Sequence, residues 1–231
     1  GAAFSIDRAK DLDIKEKVLK KNSVAICSFG DASINHATAL SALNTASLIA
    51  FNGGHVPIVF VCEDNGLGIS VPTHPNWIEN RFSNQVGMKY IQTNGLDLID
   101  LYQKTIQAEQ YSRKNRHPVF LHMKTVRLMG HAGSDIEAAY MSQQELNDIE
   151  RQDPLLFSAR TLIDNRCLGV NDIIDLYEKT RKRISRVFEY ASNRPKLIDP
   201  DKIMSSIVSN DTQRMKPRLP LVSQRKTIFG K

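Results

Sequence analysis

The chain has 231 residues, of which 41% are hydrophobic and 24% charged, enough to bury one substantial core and unlike a fibrous or low-complexity protein. No apolar run approaches the roughly 20 residues of a membrane helix, and the opening GAAFSIDRAK lacks the pattern of a secretory signal, so a soluble intracellular protein is expected. The net charge of +6 gathers around Arg181, Lys182, Arg183 and Arg186 and in the last residues, where a solvated helix face and a linker account for it without nucleic acid.

Residues 7–20 read as an amphipathic helix, followed by SVAICSF, a short apolar run with the look of a buried parallel strand. Gly30-Asp31 breaks that strand. Residues 34–51 are rich in alanine and leucine at helical spacing, Gly53-Gly54 closes them, and VPIVFVC at 56–62 is a second buried strand. A loop rich in Gly and Pro runs from Glu63 to Pro75. A short helix near 76–84, a strand at 88–92, a helix near 97–114 and a strand at 118–126 come next. Strands alternating with helices predict a parallel sheet covered on both faces. Cys27 and Cys62 fall in the apolar runs and are expected in the core; with Cys167 they form no C-x-x-C pair, so no disulfide framework or zinc site is indicated. Residues 127–140 form a long loop containing glycine, of the kind that often carries function. Helices run on from there, the clearest over 171–192 with Ile173, Ile174, Tyr177, Ile184, Val187 and Phe188 on one side. The domain is expected to span 1–207, and the polar stretch 208–231 reads as a linker or docking tail.

Two segments carry chemistry: Gly30-Asp31-Ala32-Ser33 after the first strand and Glu63-Asp64-Asn65-Gly66-Leu67-Gly68 after the second. Both fall at the carboxyl ends of neighbouring parallel strands, where open α/β sheets bind ligands. An Asp carboxylate and an Asn carbonyl brought together there are hard oxygen donors suited to Mg²⁺ and a phosphate. A helix opening after Asp31 would add backbone N–H groups. Either segment alone is compatible with an ordinary turn; the order strand, GD, helix, strand, DN-G is far more specific.

The stretch GDASINHATALSALNTASLIAFNGGHVPIVFVCEDNGLGISVPT resembles the thiamine-diphosphate motif, and KTVRLMGHAGSDIEAAYMSQQELNDIERQDPL is similar to the pattern of alpha-type E1 components of 2-oxo acid dehydrogenases. The resemblance covers about residues 1–205, and NGLGISVPT with the late helices looks most like the branched-chain 2-oxo acid enzymes. It implies the α/β thiamine-diphosphate-binding fold with a C-terminal helical extension. It also implies thiamine diphosphate and Mg²⁺ as cofactors, with Asp31, Asn65 and the carbonyl of Leu67 on the metal. Gly30, Asp31, Ala32, Ser33, Asn65, Leu67, Gly68, Arg127 and His131 would meet the cofactor, and His131 is the candidate catalytic residue. Ala32 stands where the motif has a second glycine, Asp64 where it has a first asparagine, and Leu67 where a tyrosine is usual.

The implied activity is oxidative decarboxylation of a branched-chain 2-oxo acid, with acyl transfer to lipoyl-bearing E2. A beta-type E1 subunit or domain would supply the glutamate that activates the cofactor, as a hetero-oligomer or a fused dimer, in a bacterial cytoplasm or the mitochondrial matrix. The family's earlier part, with a further phosphate-binding arginine, is expected to lie outside this sequence, and the chain alone is expected to be inactive. Two alternatives stand beside this reading: a pyruvate or acetoin version of the same enzyme, and a non-catalytic binding or assembly module of the same fold. No nucleic-acid motif and no membrane segment is evident.

Overall fold

Short runs of Val, Ile and Phe bounded by Gly or Pro suit the strands of a parallel sheet, whose faces are covered by helices. In the computed structural model, which describes residues 1–11 and 19–205, the two inner strands, at 58–64 and 119–124, are largely buried, while the strand at 25–30 has no buried residue and is exposed at 26–28. The first of two units, residues 1–170, runs α1 (Ala2–Asp11), β1 (Ala25–Gly30), α2 (Ala37–Phe51), β2 (Ile58–Asp64), β3 (Leu67–Gly68), β4 (Val71–Pro72), α3 (Trp77–Phe82), β5 (Lys89–Asn94), α4 (Leu98–Asn115), β6 (Val119–Lys124), α5 (Gln143–Glu150) and α6 (Pro154–Asp164). The main sheet has the order β1-β2-β6-β5 with every neighbour parallel, the α/β architecture expected.

Alternation along the strands sorts the core into two layers. On one face Phe60, Cys62 and Phe120 pack with Leu43 and Ala46 of α2 and with Ile78 and Phe82 of α3; Phe82 stacks on Phe120 at 4.8 Å between centroids. On the other, Val59, Ile91, Val119 and Leu121 pack with Ala108 of α4. Each helix thereby removes an apolar strand face from water, worth roughly 1.5–3 kcal/mol for each large side chain fully buried.

Several boundaries differ from expectation for local reasons. The first helix starts at Ala2, and the second half of the expected 7–20 helix falls largely outside the described residues. After β1 the chain makes a 3₁₀ turn at Ser33–Asn35, and α2 begins only at Ala37, where the His36 ring caps it by accepting from the Thr38 N–H. The predicted 63–75 loop contains the antiparallel hairpin β3–β4, whose two-residue strands are too short to leave a period in the sequence. Cys62 is buried as expected, but Cys27 is exposed: among the described residues β1 is an edge strand, and Ile26 beside it is 74% exposed.

The second unit starts at Asn171. Its helix α7 (Val170–Ser192) has the expected apolar stripe, with Ile174, Tyr177, Ile184, Val187 and Phe188 all exposed; a short α8 (Pro200–Met204) follows. The expected tail at 208–231 lies outside the described residues. No described helix is long and apolar enough to cross a membrane.

Candidate functional site

Strand register brings the two predicted segments together. Gly30 lies across from Glu63, Asp64 across from Lys124, and Asn94 across from Lys124, so the four strands end in one row. The Asp31 N–H continues the ladder to the Glu63 carbonyl at 3.3 Å. Both chemically distinctive loops therefore leave the same edge of the sheet, side by side.

Asp31 is 2% exposed. One of its carboxylate oxygens, Oδ2, accepts a hydrogen bond from the Thr73 hydroxyl, while the other, Oδ1, is buried with no partner in the protein. A buried carboxylate oxygen without a donor is costly, and few such groups persist without an ion, a water or a function. Asp31 forms part of a cleft of about 530 Å³, shared with Ala32, Asn35, Gly68, Val71, Pro72, Thr73, His74, Trp77 and Ile78. Trp77 is tied across it, its indole N–H donating to Asn35 Oδ1 at 3.0 Å.

Gly68 explains how Ala32 is accommodated. A Cβ on residue 68 would stand 2.8 Å from the Ala32 Cβ, so the extra methyl in the first loop occupies space that a missing methyl in the second leaves open. In the second loop Asn65 Oδ1 accepts the Leu67 N–H at 3.0 Å, which closes a tight turn and uses one of its two acceptor sites. Leu67 pairs with Pro72, a residue with no N–H to give the Leu67 carbonyl. Among the described residues no cluster of three or more His, Cys, Asp or Glu could hold a metal, so a cation here would rely on mixed oxygen donors of this kind.

Asp64 points into a different set of contacts. Its Oδ2 accepts from Lys124 Nζ at 2.6 Å and from His122 Nε2 at 2.7 Å, and its Oδ1 accepts from the Gly66 N–H at 3.3 Å. Burial alone would raise its pKa, but the hydrogen bonds and charges of Lys124 and His122 outweigh that and hold it below the ordinary carboxylate range. His122 is fully buried, which disfavours its charged form more than Asp64 favours it. A neutral ring fits both neighbours: Nε2–H donates to Asp64, and Nδ1 accepts from the Tyr90 hydroxyl at 2.5 Å. The extra negative charge that Asp64 brings to the motif is thus met inside the protein.

The 127–140 loop is fastened by its first residue. Arg127 donates to the Ile69 carbonyl at 2.6 Å and to the Tyr140 hydroxyl at 2.7 Å, and it lies 3.6 Å from Asp135. Asp135 in turn accepts from the His131 backbone N–H at 2.6 Å and from Tyr140 at 3.0 Å; the His131 bond is the leading cause that holds its pKa down. The His131 side chain is exposed. Arg127 Nε is buried without a partner.

The cleft therefore unites Asp31, Ala32 and Gly68. Gly30 and Ser33 flank it through their own contact, the Ser33 hydroxyl donating to the Gly30 carbonyl at 2.9 Å. Leu67 lines a smaller neighbouring hollow of about 390 Å³ with Tyr140, and neither Asn65, Arg127 nor His131 is part of either lining. The expected α-helix end beside Asp31 is replaced by the 3₁₀ turn, so any anion there would meet individual amides instead of a long helix dipole. Sequence reasoning missed Thr73, His122 and Lys124. The last two left a trace, since they are polar residues two apart in the otherwise apolar run PVFLHMKTV.

Comparison with known proteins gives this geometry a context. The family model described as "Dehydrogenase E1 component" matches residues 3–198. The chain is 27% identical over 188 residues to the pyruvate dehydrogenase E1 component subunit alpha of Rickettsia felis, covering 80% of this chain and 56% of that protein. It is 29% identical to the protein of the same name from Rickettsia prowazekii, with the same coverage of each chain. It is 24% identical to the mitochondrial 2-oxoisovalerate dehydrogenase subunit alpha of Macaca fascicularis, over 100% of this chain and 49% of that one. The chain thus spans about half the length of the relatives it matches.

Proposed function

Because the chain belongs to the family of dehydrogenase E1 components, we propose that it is the diphosphate- and Mg²⁺-binding, alpha-type part of a thiamine-diphosphate-dependent 2-oxo acid dehydrogenase. The observation that carries this reading is the buried, unpartnered Oδ1 of Asp31 at the cleft. A cation there would satisfy the lone oxygen, and the remaining acceptor site of Asn65 and the carbonyl of Leu67 complete a hard donor set. The amides of Ala32 and Ser33 face the diphosphate in this reading. Gly30 allows it close approach and Gly68 makes room for the Ala32 methyl beside it, while Arg127 fixes the loop from which His131 reaches it. Bound thiamine diphosphate would supply the reactive carbon that decarboxylates a 2-oxo acid.

This chain's part is to hold and orient one end of the cofactor. Asp31 is committed to the cation, and Asp64 is engaged by Lys124 and His122. Other acidic residues, such as Asp148, Glu150 and Asp175, are exposed. None of these is placed to move a proton at the far ring, so turnover requires a beta-type partner, with a lipoyl-bearing E2 as acyl acceptor.

The preferred substrate is a branched-chain 2-oxo acid, supported by the segment NGLGISVPT and by a 2-oxoisovalerate relative that aligns over the full chain. Pyruvate is the second reading, favoured by the somewhat higher identity of the Rickettsia proteins. Titration calorimetry of thiamine diphosphate into the chain, with Mg²⁺ and with chelator, tests the core of the proposal. Binding that needs the metal is expected. Metal-independent binding, or none, would refute it. Decarboxylation assays with a beta-type partner, run on both 2-oxo acids, then choose between the substrates; turnover by the chain alone would contradict the division of labour.

A further inference from the structure

Two aspartates end adjacent strands at this edge, and the protein treats them oppositely. Asp31 keeps one oxygen unpartnered, whereas both oxygens of Asp64 accept hydrogen bonds. Asp64 is also the residue that opens the turn carrying Asn65 and Leu67, through its bond to the Gly66 N–H. Lys124 sits directly across from Asp64 in the parallel register, so its ammonium reaches the carboxylate along one strand face. His122, two residues earlier on the same face, approaches the same oxygen and is itself held by Tyr90.

Resting on the reading of the cleft as a metal–diphosphate site, we propose that Lys124, with His122, is a positioning residue that sets the charge of that site. Lys124 occupies and neutralises the Asp64 carboxylate, so that Asp31 alone offers its charge to the cation. The same grip steadies the turn from which Asn65 and Leu67 project. Without the ammonium, a second uncompensated carboxylate would compete for the cation and repel the diphosphate that must share it. A lysine that served only for packing would have no such effect on ion binding.

The experiment measures two affinities by titration calorimetry at a temperature where every variant is folded by circular dichroism. One is for Mg²⁺ alone and the other for thiamine diphosphate at saturating Mg²⁺. Lys124→Met is expected to bind Mg²⁺ alone at least tenfold more tightly and thiamine diphosphate at least tenfold more weakly than wild type. Lys124→Arg should restore most of both. In an Asp64→Asn background, Lys124→Met should change neither, because the charge it was compensating is gone. Should Lys124→Met not fold, Lys124→Gln, which keeps a hydrogen-bond donor without the charge, replaces it with the same expectation. Unchanged affinities in the single variant, or equal losses with and without the Asp64 carboxylate, overturn the proposal. Failure of the wild-type chain to bind thiamine diphosphate with Mg²⁺ would instead overturn the functional reading, and this inference with it.

Discussion

The two edges of the sheet use charge in contrasting ways. At the amino edge, Arg116 donates to both oxygens of Asp7 at 2.9 and 3.1 Å and to the Ser23 carbonyl at 3.2 Å, and His55 lies 3.0 Å from the same carboxylate. A hollow of about 780 Å³ lies there, larger than the cleft, yet its central acid has its partners within the protein. At the carboxyl edge the acid at the cleft is left one partner short. Charge that is closed on itself stabilises the fold; charge left open marks the place where something else is to be held. The larger hollow is the closed one, so it is the unsatisfied acid and not size that marks the candidate site.

The contrast can be broken at either edge. The largest effect is expected for Asp31→Ala, which should abolish detectable Mg²⁺-dependent binding of thiamine diphosphate while leaving the urea midpoint unchanged or higher, since it removes an unsatisfied buried oxygen. A variant that binds normally, or unfolds, would place Asp31 in the same class as Asp7. Next comes Asp7→Ala, expected to cost on the order of 3 kcal/mol of stability by stranding Arg116, with cofactor affinity unchanged.

Acid should reveal the same pair in the wild type. Burial raises the Asp7 pKa, but Arg116, joined by His55, more than offsets this and holds it below its ordinary 3.8. A carboxylate with a depressed folded value contributes stability that is complete above the unfolded value and is lost as pH falls through the folded one. The wild-type midpoint should therefore fall below about pH 4, and part of that fall should be missing in Asp7→Ala. Identical acid profiles would deny the pair its role. The smallest effect concerns Gly68→Ala, whose new methyl would meet Ala32; a loss of about 1–3 kcal/mol is expected, relieved by adding Ala32→Gly. Equal losses in both backgrounds would show that the two loops do not share that space.

Much of this was legible beforehand because it rests on local pattern. Strand runs such as VPIVFVC and the Gly-Asp break after Phe29 suffice to place Asp31 and Asn65 at the ends of adjacent parallel strands. The partners of Asp31 and Asp64 were not legible, because Thr73 and Lys124 lie 42 and 60 residues away and only register brings them close. The exposure of Cys27 escaped for a related reason. An apolar run indicates a strand, but whether that strand lies at an edge is a property of the assembled sheet.

That last detail gives the chain an internal reporter. Cys27 and Cys167 face solvent while Cys62 is buried in the middle of β2, where burial and the nearby acids Asp64 and Asp31 push its thiol well above the ordinary range. Because the thiolate is the reactive species, Cys62 is shielded both by access and by protonation. A thiol-reactive dye added to the native chain therefore has two quick targets, and a third that becomes reactive only when the strand carrying Asp64 leaves the sheet. The rate of that slow third labelling measures how often the inner strand β2 is released from the sheet, with no substitution introduced.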